Sequence, residues 1–182
     1  MYNLHHTEGI ILSANDFGEA DRIYNIYTKD FGKVSVLAKG VRLEKSKLQP
    51  HLLPLSFARV SFIEGKEFMR LTDAEEILSP LLDEKTYSVF SGACSFLERL
   101  VKGQEKDEAV WELLRSLLLN TECLIHEGFE EIFQARLLYR LGYVDSEDEI
   151  IRGNRWSDLP DQVLRVAEFK KISAQGLSAS QL

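Results

Sequence analysis

GIILSANDFGEADRIYNIYTKDFGKVSVLAK, residues 9–39, holds three short β-type runs separated by turn signals. GIILSAN, RIYNIYT and KVSVLAK have the apolar and aromatic content of strands. KDFGK (29–33) reads as a turn, with Gly32 as the natural residue for a positive φ. Two further runs follow, SFARVSFIE (56–64) and EFMRLTDAEEI (67–77). EGKE (64–67) reads as the tight hairpin between them, with Gly65 supplying the positive φ. Pro50 and Pro54 mark an irregular segment before the fourth run. Five short strands suit a small closed barrel, because a flat sheet of this size would leave two edges open.

The period changes after SPLLD (79–83). Phe90, Cys94, Leu97 and Val101 share one face of a helix. KGQEKD (102–107) breaks it, and Asp107 is placed to cap a second helix carrying Trp111, Leu114 and Leu118. HEG (126–128) is a joint, and a third helix presents Phe129, Ile132, Phe133, Leu137 and Leu141 before stopping at Gly142. DSEDE (145–149) reads as an acidic loop, residues 159–173 as a weak helix, and SAQGLSASQL (173–182) as frayed. The expected fold class is α+β, all-β then all-α, with domains at 1–80 and 81–182.

Apolar residues make up 45% and charged residues 28%, the balance of a soluble globular chain. No apolar run approaches the roughly 18 residues of a membrane span, and no signal peptide is visible, so the expected location is the cytoplasm, away from any membrane. Cys94 and Cys123 lie inside apolar helical patterns and read as buried thiols. Neither has a Cys or His at metal-ligand spacing, so no structural zinc and no cofactor are expected.

The formal net charge is −7, unevenly spread: residues 81–182 carry −6, whereas residues 33–70 carry +5. LAKGVRLEKSKL (37–48) is the densest basic stretch, with Lys39, Arg42, Lys45 and Lys47 against Glu44 alone. It is either a solvated loop or a phosphate-binding one. Little compensating acid, a bendable Gly40, and Arg22, Arg59 and Arg70 on strands that a small barrel would bring close favour binding. Phe17, Tyr24, Tyr27, Phe57, Phe62 and Phe68 are interleaved on the strands. Most belong in the core of a small barrel, and one or two are candidate stacking platforms for bases.

Signals for catalysis are weak. There is no phosphate-binding Gly-Lys-Ser/Thr loop, nucleophile elbow, zincin motif or dinucleotide fingerprint. His5 and His6 would point to opposite faces of a strand. His51 and His126 are isolated, and Glu75–Glu76 and Glu130–Glu131 are consecutive carboxylates suited to solvent rather than to acid/base work. A hydrolase would need a cluster that these residues do not supply, so the chain is expected not to be an enzyme.

EGIILSANDFGEADRIYNIYTKDFGKVSVLAKGVRLEKSKL (8–48) resembles the amino-terminal domain of the RecO family of bacterial DNA repair proteins. The resemblance rests on Gly18-Glu19, on Thr28-Lys29-Asp30 with Gly32-Lys33, on Ala38-Lys39-Gly40-Val41-Arg42, and on Lys45-Ser46-Lys47-Leu48. FQARLLYRLGY (133–143) is similar to that family's helix ending in a Leu-Gly-Tyr turn. The resemblance implies a five-stranded OB-fold followed by a helical domain. It implies binding of single- and double-stranded DNA, annealing, and work with RecR to load RecA onto strands coated by single-stranded DNA-binding protein. DNA contacts are then expected at Lys39, Arg42, Lys45 and Lys47, with Arg22 and Arg70 in support. Arg136 and Arg140, on one helix face, are candidates for the coating protein's acidic tail. Many relatives carry four zinc-binding cysteines after the Leu-Gly-Tyr turn. Here VDSEDEIIRGNRW (144–156) has none, and a shorter helical part implies a reduced partner surface. The alternative is a protein-interaction module that docks RecR with little DNA binding of its own.

Overall fold

The computed structural model describes residues 3–157 and 159–180. It divides into two compact units, Met1–Leu81 with Val101–Asp107, and Leu82–Leu100 with Glu108–Leu182.

The first unit is a closed barrel of five strands: β1 (Leu4–Phe17), β2 (Asp21–Thr28), β3 (Gly32–Ala38), β4 (Phe57–Ile63) and β5 (Met69–Leu78). Their order around the barrel is β1-β2-β3-β5-β4, with β4 returning to β1. This is the OB-fold. β1 runs longer than its sequence pattern and serves twice. Leu4–Ile10 pairs with β4, and Gly9–Phe17 pairs with β2. A register shift between Ile11 and Ser13 gives it the bend this double duty requires. Elsewhere the sheet is antiparallel, and the ring closes through a short parallel contact, Val36 opposite Met69 and Leu37 opposite Arg70.

Alternate residues fill the barrel, among them Ile11, Tyr24, Ile26, Val36, Val60, Phe62 and Leu71. Val41 and Leu52, from the irregular segment between β3 and β4, enter the same core. That segment also buries Leu55, whose φ of 66° is costly for a residue with a branched side chain. Its N–H donates to the Ile11 carbonyl at 2.7 Å, and Ile11 N–H donates to the Ser56 carbonyl at 2.9 Å, so the strain accompanies a tie to β1.

Gly32 adopts the expected positive φ, 61°. Gly65 does not; it is not among the positive-φ residues. A Cβ there would lie 2.0 Å from the Phe68 carbonyl oxygen, so close backbone approach, not handedness, selects glycine in that turn.

The second unit is helical: α1 (Glu84–Leu100), α2 (Glu108–Leu119), a 3₁₀ segment at Thr121–Ile125, α3 (Phe129–Arg140), the short α4 (Glu149–Arg152), a 3₁₀ segment at Leu159–Arg165, and α5 (Val166–Ser180). Asp83 caps α1 by accepting the Thr86 N–H at 2.8 Å. Phe90, Cys94 and Leu97 are buried on α1 as expected, but the helix ends at Leu100, so Val101 falls outside it. α3 is the central element, with seven buried residues that leave little polar face. The carboxyl-terminal stretch differs from its sequence reading. Through Ser180 it is helical, because Phe169, Ser173 and Gly176 are buried and tertiary packing overrides the weak propensity of Ser and Gly; Gln181 and Leu182 lie outside the described residues. No described helix is long and apolar enough to cross a membrane.

Both cysteines are free and buried, and burial raises the thiol pKa of each, that of Cys123 to about 12.

Residues 101–107, between α1 and α2, lie on the barrel. Tyr27 Oη donates to the Asp107 carbonyl at 3.4 Å, and a Cβ on Gly32 would meet the Glu105 carbonyl oxygen at 2.1 Å. Gly32→Ala therefore carries a double penalty, a side chain at positive φ and a clash with backbone. Urea unfolding should show a loss of about 2–3 kcal/mol; a loss below roughly 0.5 kcal/mol would mean that the strap yields freely.

Candidate nucleic-acid interface

The end of β1, the start of β2 and the end of β3 meet at one end of the barrel, since Phe17 pairs with Asp21 and Arg22 with Ala38. The basic segment leaves from there, and it is fastened. Gly40, at φ 65°, donates its N–H to Asp21 Oδ1 at 2.7 Å, and Arg42 N–H donates to the Ala20 carbonyl at 2.9 Å. Successive turns follow, closed by Leu43 N–H to Gly40 O at 3.1 Å and Ser46 N–H to Leu43 O at 2.8 Å. With Val41 and Leu52 buried on either side, Lys39, Arg42, Lys45 and Lys47 stand exposed on a fixed backbone.

The predicted cations fall into three groups. Arg22 and Arg42 share one carboxylate, Asp16, at 2.7 and 3.3 Å, and Arg42 also donates to the Gly18 carbonyl at 3.2 Å. The hydrogen bond from Arg22, aided by the charge of Arg42, holds the Asp16 carboxyl below the usual carboxylate range. At neutral pH it is therefore ionised and cancels one of the two positive charges.

Lys39 and Arg70 belong to the second group. They border a cleft of about 720 Å³ whose apolar lining includes Phe17, Leu37, Ile63 and Phe68. Phe17 is 43% exposed, and its ring meets that of Phe68 edge to face at 5.8 Å. Lys66 adds a cation, while Glu64 and Glu67 add two carboxylates on the β4–β5 turn. Lys45 and Lys47, the third group, are exposed on the turns and do not line this cleft. Among the described residues Lys39, Lys45, Lys47 and Arg70 form no ion pair. Arg59 stands apart, bound to Glu75 at 2.6 Å.

Sequence reading does not single out Lys66, which its flanking acids hide in a charge count. Nor does it single out Asp16, whose role depends on β1 and β2 being paired. Among the six aromatics it weighs, Tyr24, Tyr27 and Phe62 are buried, Phe57 and Phe68 are half-buried, and Phe17 is exposed with its ring against that of Phe68.

Residues 1–80 match the family described as recombination protein O N terminal. The amino-terminal domain of the chain belongs to the RecO family. Among relatives, the DNA repair protein RecO of Heliobacterium modesticaldum is 34% identical over 143 residues, covering 77% of this chain and 52% of that protein. RecO of Clostridium perfringens is 29% identical over 140 residues, covering 74% and 57%. RecO of Rubrobacter xylanophilus is 40% identical over 76 residues, covering 42% and 31%. The chain spans about half the length of the first two RecO proteins.

Beyond that domain, Arg136 and Arg140 are not a pair of exposed cations on one helix face. Arg136 is 1% exposed and lies over Trp156, 4.4 Å from the ring centroid. It donates to the carbonyls of Ile150 and Arg155, each at 2.7 Å. Arg140 is half-buried and donates to the carbonyls of Arg136, Ile151 and Gly153 at 2.9, 3.2 and 2.9 Å, and also to the Asn154 side chain. Together they fasten segment 150–155 to α3. This segment follows the Leu-Gly-Tyr turn at 141–143. Arg136→Ala should cost about 2–4 kcal/mol in chemical unfolding, since it strands two carbonyls and empties the stack on Trp156. Stability equal to that of the parent would assign Arg136 another role.

Proposed function

We propose that this chain is a non-enzymatic, DNA-binding mediator of recombinational repair. It binds single- and double-stranded DNA through its barrel and anneals complementary strands. With RecR it helps load RecA onto DNA coated by single-stranded DNA-binding protein, acting in the cytoplasm. The observation that carries the reading is the fastened cationic segment of the barrel, where Lys39, Lys45 and Lys47 are exposed with no ion pair among the described residues. Family membership and the name DNA repair protein RecO borne by its relatives support the same reading. Lys39, Arg42, Lys45 and Lys47 would contact phosphates, with Arg22 and Arg70 in support. Such contacts give affinity without sequence preference. A fixed loop loses less freedom on binding than a floppy one. RecR and the coating protein are the proposed partners of the wider assembly.

If four cations each neutralise one phosphate, anisotropy with a labelled single strand across a salt series should give a log–log slope of about −3. Replacing Lys39, Arg42, Lys45 and Lys47 together by Ala should abolish most of that affinity and flatten the slope. Unchanged affinity would sink the site assignment.

Asp16 competes with phosphate for Arg22 and Arg42 in this reading. Asp16→Asn should tighten single-strand binding a few-fold at low salt, because two guanidiniums lose their internal counter-charge. Weaker binding in that variant would show instead that Asp16 holds the arginines in their working positions.

A further inference from the structure

We propose that the groove between α1 and the start of α3 docks a segment of a partner protein, one bulky apolar side chain flanked by Lys or Arg. The groove lies wholly within the helical unit and does not depend on the DNA-binding reading.

Ile125 ends the 3₁₀ segment and is 59% exposed, whereas Leu124 beside it is buried. One exposed apolar side chain is ordinary on a protein surface. Here it lines a hollow of about 300 Å³ together with Val89, Leu124 and Phe129. That volume is at the small end of ligand sites and suits one large side chain with its adjoining backbone.

The joint that presents Ile125 is fixed. His126 N–H donates to the Cys123 carbonyl at 3.1 Å, and Phe129 N–H donates to the His126 carbonyl at 3.3 Å. Gly128, at φ 84°, packs so closely that a Cβ would meet Val166 Cγ2 at 2.6 Å. Docking therefore costs this chain little conformational freedom.

Charge selects the partner. Glu127 and Glu130 line the groove, are exposed, and form no ion pair among the described residues. Glu131 also lines it and is bound to Lys170 at 3.3 Å. On the α1 side an adjoining hollow shares Lys85 and Val89 and adds Asp83 and Glu84. Lys85 is the one Lys or Arg among the described residues lining either hollow. An apolar centre with an acidic rim fits an apolar residue between cations and repels one between carboxylates. An acidic tail, such as that expected of the coating protein, is a poor fit here.

The whole protein can be titrated at low salt with three labelled peptides of equal length. One carries Leu-Phe flanked by Lys and Arg, the second Leu-Phe flanked by Asp and Glu, and the third Gly-Gly flanked by Lys and Arg. The first should bind about tenfold more tightly than either of the others, and salt should weaken it. Ile125→Ala should lower its affinity about fivefold. Glu127→Lys combined with Glu130→Lys should turn the preference toward the Asp/Glu peptide. As a measurement that needs no variant, amide shift changes in the parent protein should centre on Val89 and residues 124–130. Equal binding of the Gly-Gly peptide overturns the proposal, because net charge alone would then explain the affinity. Tighter binding of the Asp/Glu peptide, shifts centred elsewhere, or no binding of any peptide also overturns it. So does self-association of the protein that Ile125→Ala abolishes, which would make a second copy the occupant.

Discussion

The amino-terminal unit depends on one strand pairing on both of its edges. Five short strands laid flat would end in two rows of unsatisfied N–H and C=O groups. β1 joins the two halves of the sheet by giving its first half to β4 and its second half to β2, with the bend between Ile11 and Ser13. The edges left over are those of β3 and β5, and their short parallel contact removes both. Closure converts alternating apolar residues into a sealed core, and it also gathers chain segments at the barrel's ends.

The candidate site follows from that closure. Phe17 ends β1, Lys39 leaves β3 and Arg70 opens β5, and only the closed ring brings them around one cleft. The turn after β1 then holds the segment after β3 through Asp21 and Gly40. One carboxylate, Asp21, does this with a backbone N–H, while another, Asp16, is spent on two guanidiniums. Neighbouring acids thus have opposite consequences for positive charge: one displays it and the other masks it.

The strands were legible because period-two patterning and turn residues are local. The topology was less so, since the β3–β5 pairing joins residues far apart in sequence and leaves no mark on either. The basic segment was visible by composition, but its anchors Val41 and Leu52 were not, because no period connects two apolar residues in an irregular stretch. Arg136 and Arg140 looked like surface cations at helical spacing. Their environment is made by the carbonyls of residues 150–155, and a carbonyl's direction is not written in side-chain identity. The final helix was hidden for a related reason: its Ser and Gly are poor helix formers alone and are chosen for close packing.

The strap at residues 101–107 has a consequence for how the molecule is made. Tyr27 finds its acceptor 80 residues later in the chain, after the whole of α1 has intervened. A barrel emerging from the ribosome can pair all five strands once β5 is out, yet it must wait for Asp107 before this unit is complete. The two units are therefore interleaved in synthesis as well as in sequence: the first is not finished until α1 of the second has been made.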